Sequence, residues 1–420
     1  MTEIMELLPG ITLRCFRDHR FKQGCLSFQL VRQMTAEESA ENALLPSVLL
    51  RGTKAYPDLR SITQHLDELY GATVSPLVRR VGDYQTTGIY CGFMDDRFAL
   101  EGDHVLAEMV AFLGELLLDS PVEGEGFDAA FVESEKKNLI ATIESQLNDK
   151  RAYAASQLLK IMCAQDTFGL PRLGEPQQVQ AITPQSLYRH YQKILAESPI
   201  HIFYVGSAEG SYVAELLMPM LSKLQRNCQS LAPQTGFHTC PPQNQVERME
   251  VSQGKLGMGF LTPITNRDPE FPAMQLLNTI LGAGMTSKLF MNVREKLSLC
   301  YSVGSGYYGT KGIVTVSAGI DFDKEQQTRE EILRQVAACK EGDITPQELT
   351  AAKEAVLSSL RATHDAPGSI EGYYATSALS GMKMTPGEYM AAVEKTTLEE
   401  VVRAANTLEL HTTYFLKGVS

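Results

Sequence analysis

The eight cysteines, at 15, 25, 91, 163, 228, 240, 300 and 339, form no C-x-x-C pair. That excludes zinc-ribbon and thioredoxin chemistry and leaves free thiols, mainly buried packing residues, as the expectation. Positive charge is also short: Lys plus Arg number 38 against 50 Asp plus Glu, a net charge of −12. A general nucleic-acid binder needs a basic face to meet phosphates, so no nucleic-acid partner is expected. No apolar run reaches the length of about 18 residues that a transmembrane helix needs. The opening stretch MTEIMELLPG carries two Glu and no Lys or Arg, unlike a secretory or mitochondrial leader. The expected address is cytoplasmic, with no membrane partner.

What remains is ordinary for a globular protein. Of 420 residues, 44% are apolar and 21% charged, enough to build more than one core. The β-rich runs 10–16 and 25–31 are separated by a polar turn. Thr35-Ala-Glu-Glu38 has the form of a capping box that would start a helix running toward Arg51, with Gly52 as its stop. A second helix is expected over 59–70, strands near 74–80 and 84–93, and helices over 100–117 and 126–164. A helix over 186–194 then leads into the strand 200–206, which ends in Gly206.

Residues 229–244, QSLAPQTGFHTCPPQN, hold three Pro and little periodicity, and read as a linker. Beyond it the plan repeats. Helices are expected at 274–281 and 287–297, paired strands at 301–308 and 312–319, and helices at 324–340 and 346–363. The helix 397–406, the strand 412–416 and Gly418 mirror the unit that ends at Gly206. Two related α+β halves are the simplest account, with domains at 1–228 and 245–420.

Three motifs invite chemical readings that their context denies. Gly304-Ser-Gly306-Tyr-Tyr-Gly309 matches G-x-G-x-x-G, but a β-rich run follows it where a dinucleotide site needs a helix. Gly284-Met-Thr-Ser-Lys288 lacks the Gly directly before Lys that a phosphate loop requires. His65 and Glu68 share a helix face with no second His, so a solvated face is expected rather than a metal site. No Ser/His/Asp set stands out.

Two stretches together resemble one family. The run Met274-Gln-Leu-Leu-Asn-Thr-Ile-Leu-Gly-Ala-Gly-Met-Thr-Ser-Lys-Leu-Phe290, followed by Val293-Arg-Glu-Lys-Leu-Ser-Leu-Cys-Tyr-Ser-Val303, is similar to the C-terminal half of the pitrilysin/insulinase peptidases. Leu49-Leu-Arg-Gly-Thr53 to Leu69-Tyr-Gly-Ala72 resembles their N-terminal half. The resemblance spans nearly the whole chain and implies an α+β fold: two halves, each a mainly antiparallel sheet covered by helices, arranged as a clamshell. These enzymes carry H-x-x-E-H on a helix, where two His and a later Glu hold Zn²⁺ and the Glu between them is the general base.

In the family register counted back from Gly52, this sequence has Ala43 for the first His, Pro46 for the base and Ser47 for the second His. The third ligand aligns with Thr142, or with Glu144 after a shift of two. Methyl and hydroxyl groups cannot replace those ligands, so no metal, no cofactor and no peptidase activity of its own are expected. Pro46 is also expected to kink or restart its helix. By the Arg-Glu-Lys…Tyr match, Arg294 and Tyr301 correspond to the family's substrate-binding pair.

Some bacterial members of the family are heterodimers. One subunit has H-x-x-E-H, and the other has only the Arg/Tyr pair. The resemblance therefore implies a non-catalytic subunit that completes a peptide chamber with a zinc-bearing paralogue. The alternative is a homodimeric binding or scaffold protein without a peptidase role, as with family members recruited into respiratory-complex cores; the family also includes a bacterial branch associated with translation-factor modification, a role the resemblance allows.

Overall fold

Residues 2–237 and 240–419 are described by a computed structural model; residues 238 and 239 of the expected linker lie outside them. The chain opens with β1 (Thr2–Leu8), β2 (Ile11–Arg17) and β3 (Gln23–Gln33), then α1 (Ser39–Leu49) and α2 (Leu59–Glu68). The hairpin β4 (Thr73–Val81) and β5 (Tyr84–Met94) precedes α3 (Val105–Leu118) and a short ribbon, β6 (Val122–Glu123) with β7 (Gly126–Phe127). Next come α4 (Ala129–Ser145), α5 (Lys150–Met162), α6 (Pro176–Ala181), α7 (Pro184–Glu197), β8 (Ile200–Gly206) and α8 (Gly210–Leu221). The second series is β9 (Gln243–Arg248), β10 (Gly254–Leu261), α9 (Phe271–Leu281), a π-helical segment (Leu289–Lys296), β11 (Cys300–Tyr308) and β12 (Ile313–Ile320). It ends with α10 (Glu325–Glu341), α11 (Pro346–Ala362), α12 (Pro367–Ser380), α13 (Pro386–Lys395), α14 (Leu398–Asn406) and β13 (Glu409–Lys417).

Local chemistry accounts for most boundaries. Thr183, Thr345, Thr385 and Thr397 each accept the amide hydrogen bond of the residue three further on, and α7, α11 and α13 begin with Pro, whose missing N–H would have no partner there. The Thr35 box forms only by half. Its hydroxyl accepts the amide of Glu38 at 3.2 Å, but the Glu38 carboxylate turns to Arg32 and Lys193 instead of returning to the cap, so α1 starts later. The single helix expected over 126–164 is two. Asp149 accepts the amides of Arg151 and Ala152, both at 3.0 Å, and starts α5 afresh.

Each half builds one sheet in the same order. The first runs β1-β2-β8-β3-β5-β4 and the second β9-β13-β10-β12-β11. Without β1, the lists correspond strand for strand: β2 with β9, β8 with β13, β3 with β10, β5 with β12, β4 with β11. The returning strands β8 and β13 pair parallel with β2 and β9; the remaining ladders of both sheets are antiparallel. The two related, mainly antiparallel halves read from the sequence are present.

The compact units do not divide at one linker. The first comprises Met1–Glu144, Leu170–Pro233 and His364–Leu379; the second comprises Ser145–Gly169, Gln234–Thr363 and Ser380–Ser420. The units thus exchange equivalent helices, α5 for α12. In the first unit, Leu26, Phe28 and Leu30 of β3 face a core shared with α1, α3 and α7. On the other face of β3, Cys25 joins Ile370 and Ala375 of α12 in a second cluster. In the second unit, Ala154 and Leu158 of α5 pack on Tyr414 and Leu416. Strand β10 meets α5 with glycine: a Cβ at Gly259 would lie 2.5 Å from the Met162 sulfur.

Candidate functional site

Helix α1 carries the zinc-motif positions, and none offers a zinc donor. Ala43 and Pro46 are buried and Ser47 half-buried. The helix does not restart at Pro46: α1 runs through it as one segment, Ser39–Leu49. A proline here removes the amide that would bond the Asn42 carbonyl. The Thr87 hydroxyl of β5 takes that carbonyl instead, at 2.6 Å.

The helix is also tied through the Asn42 side chain. Its amide donates to Gln85 Oε1 at 2.9 Å, and its carbonyl oxygen sits 2.7 Å from His190 Nε2. His190 Nδ1 lies 3.4 Å from Glu41. Burial pushes the His190 pKa down to about 4 despite nearby Glu38, so the ring is neutral at pH 7. Burial likewise raises the Glu41 carboxyl. Sequence reasoning missed this buried polar cluster, because nothing in the spacing of 41, 42, 85 and 190 signals it.

Both candidates for the third ligand are on α4. Thr142 is exposed and its hydroxyl bonds the Asn138 carbonyl of its own helix at 2.8 Å; Glu144 is also exposed. Among the described residues no group of three or more His, Cys, Asp or Glu side chains could hold a metal. The donor set does not fit the zinc of the related enzymes.

Arg294 and Tyr301 lie in the second unit and are brought together. The segment holding Arg294 is π-helical rather than the α-helix expected over 287–297. The Leu297 amide bonds the Asn292 carbonyl at 3.2 Å, one residue further back than in an α-helix. Such widened turns displace side chains from their α-helical positions. The segment closes with Ser298 in the left-handed region, φ 51°, and two residues later β11 begins at the sheet edge.

The Arg294 guanidinium lies 4.7 Å from the Phe290 ring centre and 6.0 Å from that of Tyr301, a cation–π arrangement. Its contact with Glu295 is long, 3.5 Å, between half-exposed groups, and worth little. Tyr301 is 79% exposed. The two side chains thus lie close together, with the Arg294 guanidinium half-exposed and Tyr301 largely open to solvent. Phe290, which the motif did not single out, links the pair to a cavity in the same unit.

The remaining motifs are structural. Gly304 and Gly306 lie within β11, and Gly309 is in the turn before β12. Lys288 is buried and pairs with Glu348 at 3.0 Å. His65 is half-buried and stacks on Tyr56, ring centres 4.5 Å apart, while Glu68 on the same helix is exposed. The cysteines are free, and six of them are buried.

The chain matches known proteins along its length. The family profile described as "Peptidase M16 inactive domain" matches residues 181–356. A probable inactive metalloprotease of Bacillus subtilis strain 168, YmfF, is 29% identical over all of this chain and 98% of that protein. An uncharacterized zinc protease of the same organism, YmxG, is 24% identical over 78% of this chain and 75% of that protein. A conserved protein from Enterococcus faecalis V583 superposes with a TM-score of 0.91 at 28% identity, covering 99% and 98% of the two chains. A peptidase M16 inactive domain from Pseudomonas fluorescens shares the fold, with a TM-score of 0.82 at 17% identity over 100% and 98%. Together with the residues at the motif positions, these matches make the chain a homologue of the M16 peptidases, similar to proteins described as inactive, whose zinc-motif positions hold no zinc ligand.

Proposed function

We propose that this chain is the non-catalytic subunit of a two-subunit peptidase. Its partner is a zinc-bearing H-x-x-E-H paralogue, and the two together enclose a peptide chamber. Arg294 and Tyr301 act on the partner's substrate in trans: the guanidinium and the phenol hold the peptide backbone by hydrogen bonds and polarise the carbonyl under attack. The observation that carries this reading is the contrast between the two halves. The zinc positions hold Ala43, Pro46 and Ser47, whereas Arg294 and Tyr301 lie beside each other with Tyr301 exposed and Arg294 half-exposed. Free thiols throughout support a reducing, cytoplasmic setting, and no described helix is long and apolar enough to cross a membrane.

The test is gentle purification of the tagged chain from its native cells. A stoichiometric H-x-x-E-H paralogue is expected, with zinc present only in the complex. Arg294→Ala should then lower peptide cleavage by the complex about 10- to 100-fold, the loss of a charge-assisted hydrogen bond, and leave complex formation intact. A zinc-free homodimer without such a partner would overturn the reading in favour of a scaffold protein.

A further inference from the structure

The cavity beside Phe290 has a volume of about 800 Å³ and lies wholly within the second unit. Its floor is the sheet, where Gly304 and Gly306 of the edge strand β11 leave the backbone bare. A Cβ added at Gly306 would come no nearer than 3.6 Å to a neighbour, Thr315 Oγ1. Crowding therefore does not require glycine there, and its effect is to keep the floor low. One wall is α5; the other is the turn 282–285, whose Met285 is 77% exposed.

The charge in this cavity is unbalanced. Arg151, at the start of α5, and Lys255, at the start of β10, both line it. The one carboxylate among the lining residues, Asp149, is occupied in capping α5 through the amides of Arg151 and Ala152. The Lys255 ammonium donates to a neutral partner, Gln253 Oε1, at 2.6 Å. Burial, and then the Arg151 charge, lower its pKa against a smaller pull from Asp149. The Arg151 side chain is exposed. Two cations therefore share a cavity in a chain of net charge −12.

We propose that this cavity binds an extended peptide segment and seats one of its carboxylates between Arg151 and Lys255. Arg offers a planar fork and Lys a point charge, the combination that suits a carboxylate. The space is far larger than a carboxylate needs, and Leu158, Met285 and Phe290 supply apolar contact for neighbouring side chains. Through Phe290 the bound segment continues to Arg294 and Tyr301. The inference rests on the peptide-chamber reading and adds its substrate class: peptides that present a carboxylate, on an acidic side chain or at the C-terminus.

Three octapeptides of Val, Thr and Ser, followed by fluorescence anisotropy with the full chain, test it. One has a central Glu and blocked ends; the second has Gln in its place; the third is the Gln peptide with a free C-terminal carboxylate. The Glu peptide, the free-terminus peptide, or both should bind about tenfold tighter than the blocked Gln peptide. Which of them gains identifies the carboxylate as side chain or terminus. Arg151→Gln and Lys255→Gln should each reduce that preference. Gly306→Val, which suits a strand, should weaken all three peptides together without shifting the unfolding temperature.

Equal binding of the three peptides would overturn the proposal. So would a preference that survives both substitutions, or no binding of any peptide up to about 1 mM. Arg294→Ala, assayed in parallel on the complex, separates the two ideas. Loss of cleavage with no preference for a carboxylate sinks only the carboxylate-seat assignment. A carboxylate preference with cleavage untouched sinks only the action in trans.

Discussion

Arg79 grips Glu371 with both arms of its guanidinium, Nη1 to Oε1 at 2.9 Å and Nη2 to Oε2 at 2.8 Å, and Glu371 is fully buried. Ser27 and Gln29 complete its ring of donors, at 2.7 and 2.8 Å. The contact fastens the exchanged helix α12 to the end of the β4–β5 hairpin. The second unit has a counterpart. Asp166, just after the exchanged helix α5, meets Lys311 at the β11–β12 turn at 3.0 Å, both side chains fully buried. Each exchanged segment thus brings one carboxylate to a cation at the equivalent hairpin. Arg79→Met should cost about 3 kcal/mol, because it strands a buried charge. Glu371→Gln should cost less, since Arg79 can turn to solvent. Thermal unfolding by circular dichroism gives the order, and equal losses would contradict this account.

Thr87 stands in for the amide that Pro46 lacks, so the two residues should be coupled. Thr87→Val leaves the Asn42 carbonyl buried and unbonded, a loss of about 1–3 kcal/mol. Pro46→Ala restores a helical donor to the same carbonyl. The double variant should therefore recover about 1 kcal/mol or more relative to the sum of the single changes. Strict additivity in a double-mutant cycle would show that the Thr87 hydroxyl does not serve this role.

His190 makes stability depend on acid. Its pKa is about 4 in the fold and about 6.5 in an unfolded chain. Between those values the unfolded chain binds the proton and the folded one does not, so stability falls as pH drops through that window. The full effect is of the order of 3 kcal/mol at and below pH 4. In His190→Gln the side-chain amide can still donate to Asn42 while nothing titrates. Unfolding temperatures measured from pH 7 down to 4.5 should therefore fall less steeply for the variant; parallel curves would remove His190 as the cause.

The parts of the fold legible in the sequence are those set by local chemistry. Threonine caps followed by proline mark α11, and the returning strands 200–206 and 412–416 show in their β-branched runs before Gly. Arg294 and Tyr301 were singled out by the family resemblance of one short block, and in the structure the guanidinium lies 6.0 Å from the Tyr301 ring centre. The exchange of α5 and α12 was not, since an amphipathic pattern says that a face is buried but not against which sheet. The break before α5 hid in a stretch rich in Ala, Leu, Glu and Lys, where only Asp149 as a cap signals it. Pro46 misled because the partner that rescues its helix, Thr87, lies on another element. The cavity was hidden by its glycines, which as a motif suggested a nucleotide and in the strand form a bare floor.

Ser298 fixes the geometry that the proposed function depends on. Its left-handed backbone, φ 51°, ends the π-helical segment, and the Leu299 amide bonds back to the Val293 carbonyl at 3.0 Å. A residue with a Cβ pays about 1 kcal/mol for this conformation, and a β-branched one more. Ser298→Gly should therefore leave the unfolding temperature unchanged or raise it, whereas Ser298→Val should lower it and pull Arg294 away from Tyr301. In the complex, cleavage should survive the first change and fall with the second, even at temperatures where the valine variant remains folded. If both variants cleave like the parent, the spacing between Arg294 and Tyr301 does not matter to the reaction, and the pair's closeness in the free chain loses its meaning.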